Sequence, residues 1–541
     1  MKGQALNRLL PLLFAALLVA LLAACGAPAV RPTQQAWMPD LGDGRYQNPV
    51  LHADYSDPDA IRVGDMYYLT SSSFNNAPGL PLLQSPDMVN WTLVGHALPQ
   101  QVPLDVFASP QHGKGVWAPC LRYHDGKFWI FYPDPDFGVY VMTATEFAGP
   151  WTAPRLLLAG KGIIDPTPLW DDDGQAYLLH AWAKSRAGIA NQLTLRRMAP
   201  DASRMLDDAG KTVIDGNRLP NYTTLEGPKL YKHDGYYYVF APAGGVEFGW
   251  QSVFRSRRID GPYEDRIVMA QGHTPVNGPH QGAWVRTQAG EDWFLHFQDK
   301  RAYGRVVHLQ PMHWRDGWPV IGEDVDGSGT GQPVSRYRKP VAGHAAAAPA
   351  TSDAFDGASL GLQWQWNANW KPEWYSLSAH AGYFRLYGQQ EQGGRNLWDA
   401  PSLLLQKLPA ESFTVTTRMD VGALGEGGKA GLIMYGADYA WLGARREGGK
   451  TRLALVSCHK ADAACVEREE ASAELAGSQI WLRMQARPGG VTTFSYSRDE
   501  QTYVIIGQPF TARMGRWVGA QMGLFAMGGG HVDIDYFHVT P

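Results

Sequence analysis

Residues Glu226–Phe240 read EGPKLYKHDGYYYVF: an acid, a glycine and a proline, a short run, an Asp-Gly step, then a second run rich in aromatics. Asp-Gly between two such runs signals a β-hairpin. Four other stretches share the form. DPDAIRVGDMYYLT begins at Asp57, WAPCLRYHDGKFWIFY at Trp117, DPTPLWDDDGQAYLLH at Asp165 and HQGAWVRTQAGEDWFLHF at His280. Their starts lie 60, 48, 61 and 54 residues apart, and further strand signals such as SPDMVNW, ATEFAGPW and SRRIDGPY follow. A four-stranded antiparallel unit takes about 40–60 residues, and radial repetition of such units leaves few exposed edges. Five repeats across residues 46–340 therefore predict an all-β, five-bladed β-propeller. A β-sandwich of that length is the competing fold, but it gives no reason for fivefold recurrence.

Radial symmetry has a chemical consequence. The first strand of each blade runs nearest the axis, so residues at equivalent places near those strand starts meet in one funnel. Asp57, Asp165 and Glu226 occupy such places in units one, three and four, and Trp117 and His280 fill them in the other two. Turn capping accounts for DDDG at 171–174. DVDGSG at 324–329 has Ser335 where a calcium loop needs glutamate. Turn capping does not account for three acids in equivalent positions. A pair of carboxyl groups flanking a glycosidic bond is what glycoside hydrolysis needs. A third acid near the proton donor would raise the donor's pKa and orient it. A metal cage is the other use of such a cluster, although no Cys/His spacing reads as a zinc site.

The remaining sequence sets the context. The 541 residues carry a net charge of −4, which excludes a polycationic nucleic-acid footprint. Lys2 and Arg8 precede an apolar run ending in LAACG at 22–26, the pattern of a secretory signal. Its end resembles the bacterial lipobox, which implies lipidation of Cys25, export, and anchoring to the envelope through lipid alone. Residues 1–25 are then signal, and 26–45 are expected to be a flexible tether. Cys458 and Cys465 lie in SCHKADAACVE, close enough to form a disulfide in an oxidising compartment, with two free thiols as the alternative. Residues 341–352 are Ala-rich and read as a linker. From 353 to 541, SFTVTTRMDV, AGLIMYG, TRLALVS, IWLRMQARP and HVDIDYFHV alternate apolar with polar, as strands of a two-sheet sandwich do. WQWNANWKPEWYS at 364–376 reads as core packing, with a sugar-stacking strip as the alternative.

From Asn48 to Pro340 the chain resembles glycoside hydrolase family 43, five-bladed propeller enzymes that include β-xylosidases and α-L-arabinofuranosidases. NPVLHADYSDPDAIRVGDMYYL, GIIDPTPLWDDDGQAYL and LEGPKLYKHDGYYY carry the likeness, with GVWAPCLRYHDGKFWIFY, GPHQGAWV and YGRVVHLQPM. The resemblance implies Asp57 as general base, Asp165 as pKa modulator and Glu226 as general acid, with inversion at the anomeric centre. It implies Phe74, Trp117, His280 and Arg305 as substrate-binding residues. For Arg305 a structural ion pair is the competing role; for His280 the competing roles are a core histidine or a holder of calcium through water. NNAPG after Phe74 and AGGVEFGWQSVFRS at 243–256 depart from xylosidase-type members and leave the exact sugar open. NLWDAPSLLLQKLPAESFTV at 396–415 resembles the concanavalin-like domain that follows the propeller in such enzymes, where one of its loops narrows the active-site mouth. The implied function is release of terminal xylosyl or arabinofuranosyl residues from plant oligosaccharides, with no required cofactor. A surface sugar-binding lipoprotein with a dead propeller is the competing class, and it requires the loss of one acid.

Overall fold

Leu178 and Leu179 are adjacent in one strand, yet they pack into two different hydrophobic clusters. Cys120 and Leu121 part in the same way. Side chains on a strand alternate between faces, so a sheet buried on both faces can belong to two cores at once. In this computed structural model, which describes residues 35–390 and 396–541, that rule builds residues 46–340. Five antiparallel sheets of four strands follow one another, each made of strands consecutive in sequence. Their innermost strands are Asp59–Val63, Cys120–His124, Ile163–Trp170, Lys229–His233 and His280–Arg286. Each of the five expected repeats supplies one blade.

Five clusters fill the five blade-to-blade interfaces. Leu82 of the first blade meets Ile130 of the second, Phe131 of the second meets Met198 of the third, and Leu193 of the third meets Val239 of the fourth. Val253 of the fourth then meets Phe294 of the fifth. Leu69 and Leu295 share the last cluster, which joins the fifth blade back to the first and closes the ring. Residues 45–51 seal that joint: Arg45–Gln47 pairs with Arg336–Arg338, and Asn48 Nδ2 donates to the Leu309 and Val334 carbonyls at 2.8 Å.

A charged lattice crosses the channel at the propeller's centre. Asp59 of blade one accepts from Arg122 Nη1 at 3.0 Å and from the Leu121 N–H at 2.8 Å; Lys229 Nζ stands 3.4 Å from the same oxygen. Lys229 also donates to the Pro119 carbonyl at 3.0 Å, so blades one, two and four share one buried network. Removing one partner of such a group strands the other in the interior, at about 3 kcal/mol or more. Lys229→Ala is therefore expected to lower the thermal midpoint by several degrees. An unchanged midpoint would mean the lattice does not hold the blades.

Residues 353–541 form two facing sheets, with one large core between them. Phe413–Asp420 alternates buried and half-buried along its whole length, as its sequence predicts. Trp364 and Trp366 are both buried in that core, so they offer no stacking strip. Their backbone instead docks on the propeller: Ala77 and Trp366 exchange both backbone hydrogen bonds, and Asn75 Nδ2 donates to the Asn367 carbonyl at 2.7 Å. Cys458 and Cys465 are joined in a disulfide, and Cys120 is a free, buried thiol.

Cys25 and the signal lie outside the described residues. The described part of the expected tether, 35–45, is packed rather than loose. Trp37 Nε1 donates to the Pro49 carbonyl at 2.9 Å, and Asp40 accepts from Lys339 Nζ at 2.6 Å and Asn90 Nδ2 at 2.9 Å. A buried ion pair and an apolar ring give this stretch partners that its composition alone does not announce.

Candidate active site

Each acid reaches the axial cavity through a local irregularity at or just before its innermost strand. Asp57 and Asp165 both precede proline and both sit at φ 53°, left-handed backbone that costs a non-glycine residue about 1–3 kcal/mol. Asp165 also lies within a bulge, where the register slips between Ile164 and Thr167. A bulge re-aims the side chain it carries. Glu226 is placed differently: its N–H donates to the Pro242 carbonyl at 3.2 Å, as the Trp117 N–H does to Pro133 at 3.0 Å. Trp117-Ala-Pro and Glu226-Gly-Pro are thus one device in two blades. Gly227 follows Glu226 at φ 60°, where a Cβ would come within 2.9 Å of the Gln281 side chain. In the fifth blade a second register slip separates His280 from Gly282.

Asp57, Asp165 and Glu226 line one cavity of about 490 Å³, together with Phe74, Trp117, His280 and Arg305. Sites for small ligands span about 300–1,000 Å³. All seven expected site residues are therefore brought together.

Their contacts divide into two groups. Asp57 Oδ2 accepts from Ser72 Oγ at 2.6 Å, and Arg305 Nη1 lies 3.0 Å from Oδ1 and 3.3 Å from Oδ2. Arg305 Nη1 donates to Ser56 Oγ as well, at 3.0 Å. Of the two readings of Arg305, the ion pair describes what its Nη1 does, and it does so inside the cavity. Across from this group, His280 Nε2 stands 3.2 Å from Glu226 Oε1. Asp165 Oδ2 accepts from the Gly227 N–H at 2.8 Å, which fixes the backbone beside Glu226.

Burial, and then the neighbouring Glu226 carboxylate, push the Asp165 carboxyl up to about 7. Asp165 therefore keeps its proton at mildly acidic pH, beside the Glu226 carboxyl. Glu226 is the accessible member, with 27% of its side chain exposed; Asp165 is buried. Once pH rises through about 7, Asp165 ionises and places a negative charge beside the group that must deliver the proton. Activity is therefore expected to fall above about pH 7 with a slope of one proton. In Asp165→Asn the titrating carboxyl is gone, and this basic limb near pH 7 should disappear. A limb that stays put would uncouple the two acids.

The walls are aromatic. The Phe74 ring meets Trp117 edge-on at 6.3 Å, and Trp117 meets Trp517 at 6.2 Å. Trp517 belongs to the sandwich, is 39% exposed and sits at φ 65° in an irregular loop. Sequence reading assigns no sandwich residue to the site, because RMGRWVG carries no repeat register that would mark it. Gly113 accommodates this loop: a Cβ there would stand 2.4 Å from Arg516 Cγ. Asn191 is another lining residue that sequence reading does not single out. Its Oδ1 accepts from the Leu225 N–H at 2.8 Å and thereby holds the approach to Glu226.

Calcium near His280 is not supported. His280 Nε2 faces Glu226, and its Nδ1 is a single buried nitrogen without a partner. Among the described residues, no group of three or more His, Cys, Asp or Glu side chains is arranged to hold a metal. Calcium takes roughly six to eight oxygen ligands. The residues present do not fit it.

Comparison with known proteins agrees with this geometry. The family described as "Glycosyl hydrolases family 43" matches residues 46–319, and "Beta xylosidase C-terminal Concanavalin A-like domain" matches residues 352–540. The chain is 36% identical over 495 residues to a putative beta-xylosidase of Xylanibacter ruminicola, covering 90% of this chain and 86% of that one. It is 28% identical over 547 residues to a non-reducing end alpha-L-arabinofuranosidase of Bacteroides ovatus, covering 93% and 96%. Among solved structures it superposes on a xylan beta-1,4-xylosidase from Bacillus halodurans with a TM-score of 0.81 at 25% identity, over 92% of this chain and all of that one.

Proposed function

Since the chain belongs to glycosyl hydrolases family 43 and is a glycosidase acting on O-glycosyl compounds, we propose that it is an exo-acting, inverting enzyme. Its substrates are oligosaccharides from plant cell walls, from whose ends it removes terminal xylosyl or arabinofuranosyl residues. The observation that carries this reading is the convergence of Asp57, Asp165 and Glu226 on one aromatic-walled cavity. A non-catalytic binding protein would need none of the three.

In this mechanism the terminal sugar sits against Phe74 and Trp117. Asp57, oriented by Ser72 and Arg305, takes a proton from water, and that water attacks the anomeric carbon. Glu226 gives its proton to the departing oxygen from the other side, and Asp165 beside it modulates and orients that donor. Trp517 narrows the mouth and favours chain ends over chain interiors. Xylosides rank first because the putative beta-xylosidase shares more identity with this chain than the arabinofuranosidase does.

A panel of nitrophenyl pentosides tests the substrate class. The β-xyloside is expected to be hydrolysed fastest and the α-L-arabinofuranoside second. If neither yields nitrophenol above the rate of a Glu226→Ala, Asp57→Ala double variant, the pentosidase reading is wrong.

We further propose that the protein is exported and tethered to the bacterial envelope by a lipid on Cys25. Support comes from the LAACG pattern at 22–26 behind a basic and apolar leader. Cys25→Ser is expected to move the protein from the membrane fraction to the soluble one; retention in the membrane would count against lipidation.

A further inference from the structure

One more buried carboxylate stands at the catalytic end of the propeller, three residues before Asp57. Asp54 is only 6% exposed, and its two oxygens hold two different parts of the molecule. Oδ1 accepts from the Arg305 N–H at 2.8 Å, and Oδ2 accepts from the Gly519 N–H at 2.8 Å. Arg305 is the residue whose side chain grips Asp57. Gly519 is two residues beyond Trp517, in the sandwich loop that reaches the cavity. A single carboxylate therefore spans the propeller and the sandwich at the point where each contributes to the site.

The surroundings are shaped to this contact. Gly304, beside Arg305, has φ 72° and ψ −150°, a conformation open essentially to glycine alone, and a Cβ there would stand 2.4 Å from Asp54 Cγ. Gly519 lies so close that its own Cβ would come within 2.6 Å of the Gly304 nitrogen. The next residue continues the seam, with the Ala520 N–H donating to the Ala302 carbonyl at 2.7 Å. Burial pushes the Asp54 carboxyl up, and the Lys407 cation of the sandwich with the two backbone donors pulls against that rise. Backbone donors to a buried carboxylate make short, strong, directional bonds.

We propose that Asp54 is a positioning residue for hydrolysis, a clamp that fixes the Trp517 loop and the Arg305 backbone as one wall of the cavity. The sandwich is then a working part of the catalytic site, and its Trp517 is held where a leaving-group sugar would stack. This rests on the glycosidase reading above. Replacing the carboxylate by an amide turns one acceptor into a donor that faces an N–H, so either the loop or the arginine backbone is released.

The test uses the full-length protein with two substitutions, Asp54→Asn and Gly519→Ala. Gly519→Ala leaves the carboxylate intact and wedges the loop away from Gly304. Two readouts are taken: hydrogen–deuterium exchange of the peptide spanning 513–520, and kcat and KM on xylobiose beside nitrophenyl β-xyloside. Both variants are expected to exchange this peptide at least tenfold faster. Both should lose about 10- to 100-fold in kcat/KM on xylobiose, the effect of one charge-assisted hydrogen bond, with most of the loss in KM. In a Trp517→Ala background Asp54→Asn should add less than threefold to the xylobiose KM, because the platform it positions is already gone. Should Asp54→Asn fail to fold, Gly519→Ala carries the test alone. Unchanged exchange and unchanged xylobiose kinetics in a folded variant would overturn the clamp. Faster exchange in the variants, with the wild-type protein itself inactive on both glycosides, would uphold the clamp and refute the pentosidase reading instead.

Discussion

Glu226→Gln is expected to fold normally and to lower kcat/KM on xylobiose by roughly 10²–10⁴-fold, the range for loss of a general acid. The loss should depend on the leaving group. The xylose expelled from xylobiose departs as an alkoxide unless its oxygen is protonated, so this substrate needs the acid fully. A dinitrophenolate departs readily without a proton, and on that substrate the loss is expected to stay within about tenfold, since there is little proton transfer left to remove. The environment supports the role: Glu226 faces His280 Nε2 at 3.2 Å, is the exposed member of the pair with Asp165, and follows a backbone segment fixed by Asn191. Equal losses on the two substrates would show that Glu226 is not the proton donor.

Asp57→Asn should behave in the opposite manner. Losing the base that activates water is expected to reduce kcat by about 10³-fold or more on activated and unactivated substrates alike, because water attacks in both. The amide keeps an acceptor for Arg305 and a polar partner for Ser72, so the hydrogen-bond cage around position 57 survives. Thermal stability should therefore change little while turnover collapses. If Asp57→Asn retained more than a tenth of wild-type kcat on xylobiose, the base would have to be sought elsewhere.

The legible parts of this molecule are those governed by repetition and alternation. Five hairpin signatures identified five blades, and equivalence of position was enough to bring residues as far apart in sequence as Asp57 and Glu226 into one cavity. Contacts between non-equivalent parts were not legible. Trp517 enters the site from a loop with no register, and Asn191 acts through its side chain on the backbone of another segment. The packing of Trp37 and Asp40 onto the propeller was equally hidden, because it depends on Pro49, Lys339 and Asn90, distant partners that no local pattern names. Arg305 is an intermediate case. Its motif marked it as a site residue, while its bond to Asp57 came only from the fold.

The stereochemistry of the first-formed product is the most direct check on the division of labour between Asp57 and Glu226. Proton NMR of a fresh digest of a β-xyloside, read before mutarotation, should show α-xylose accumulating first, since water enters from the face opposite the departing oxygen. Initial appearance of β-xylose would mean two successive displacements through a sugar–enzyme bond, and Asp57 could not be the base described here.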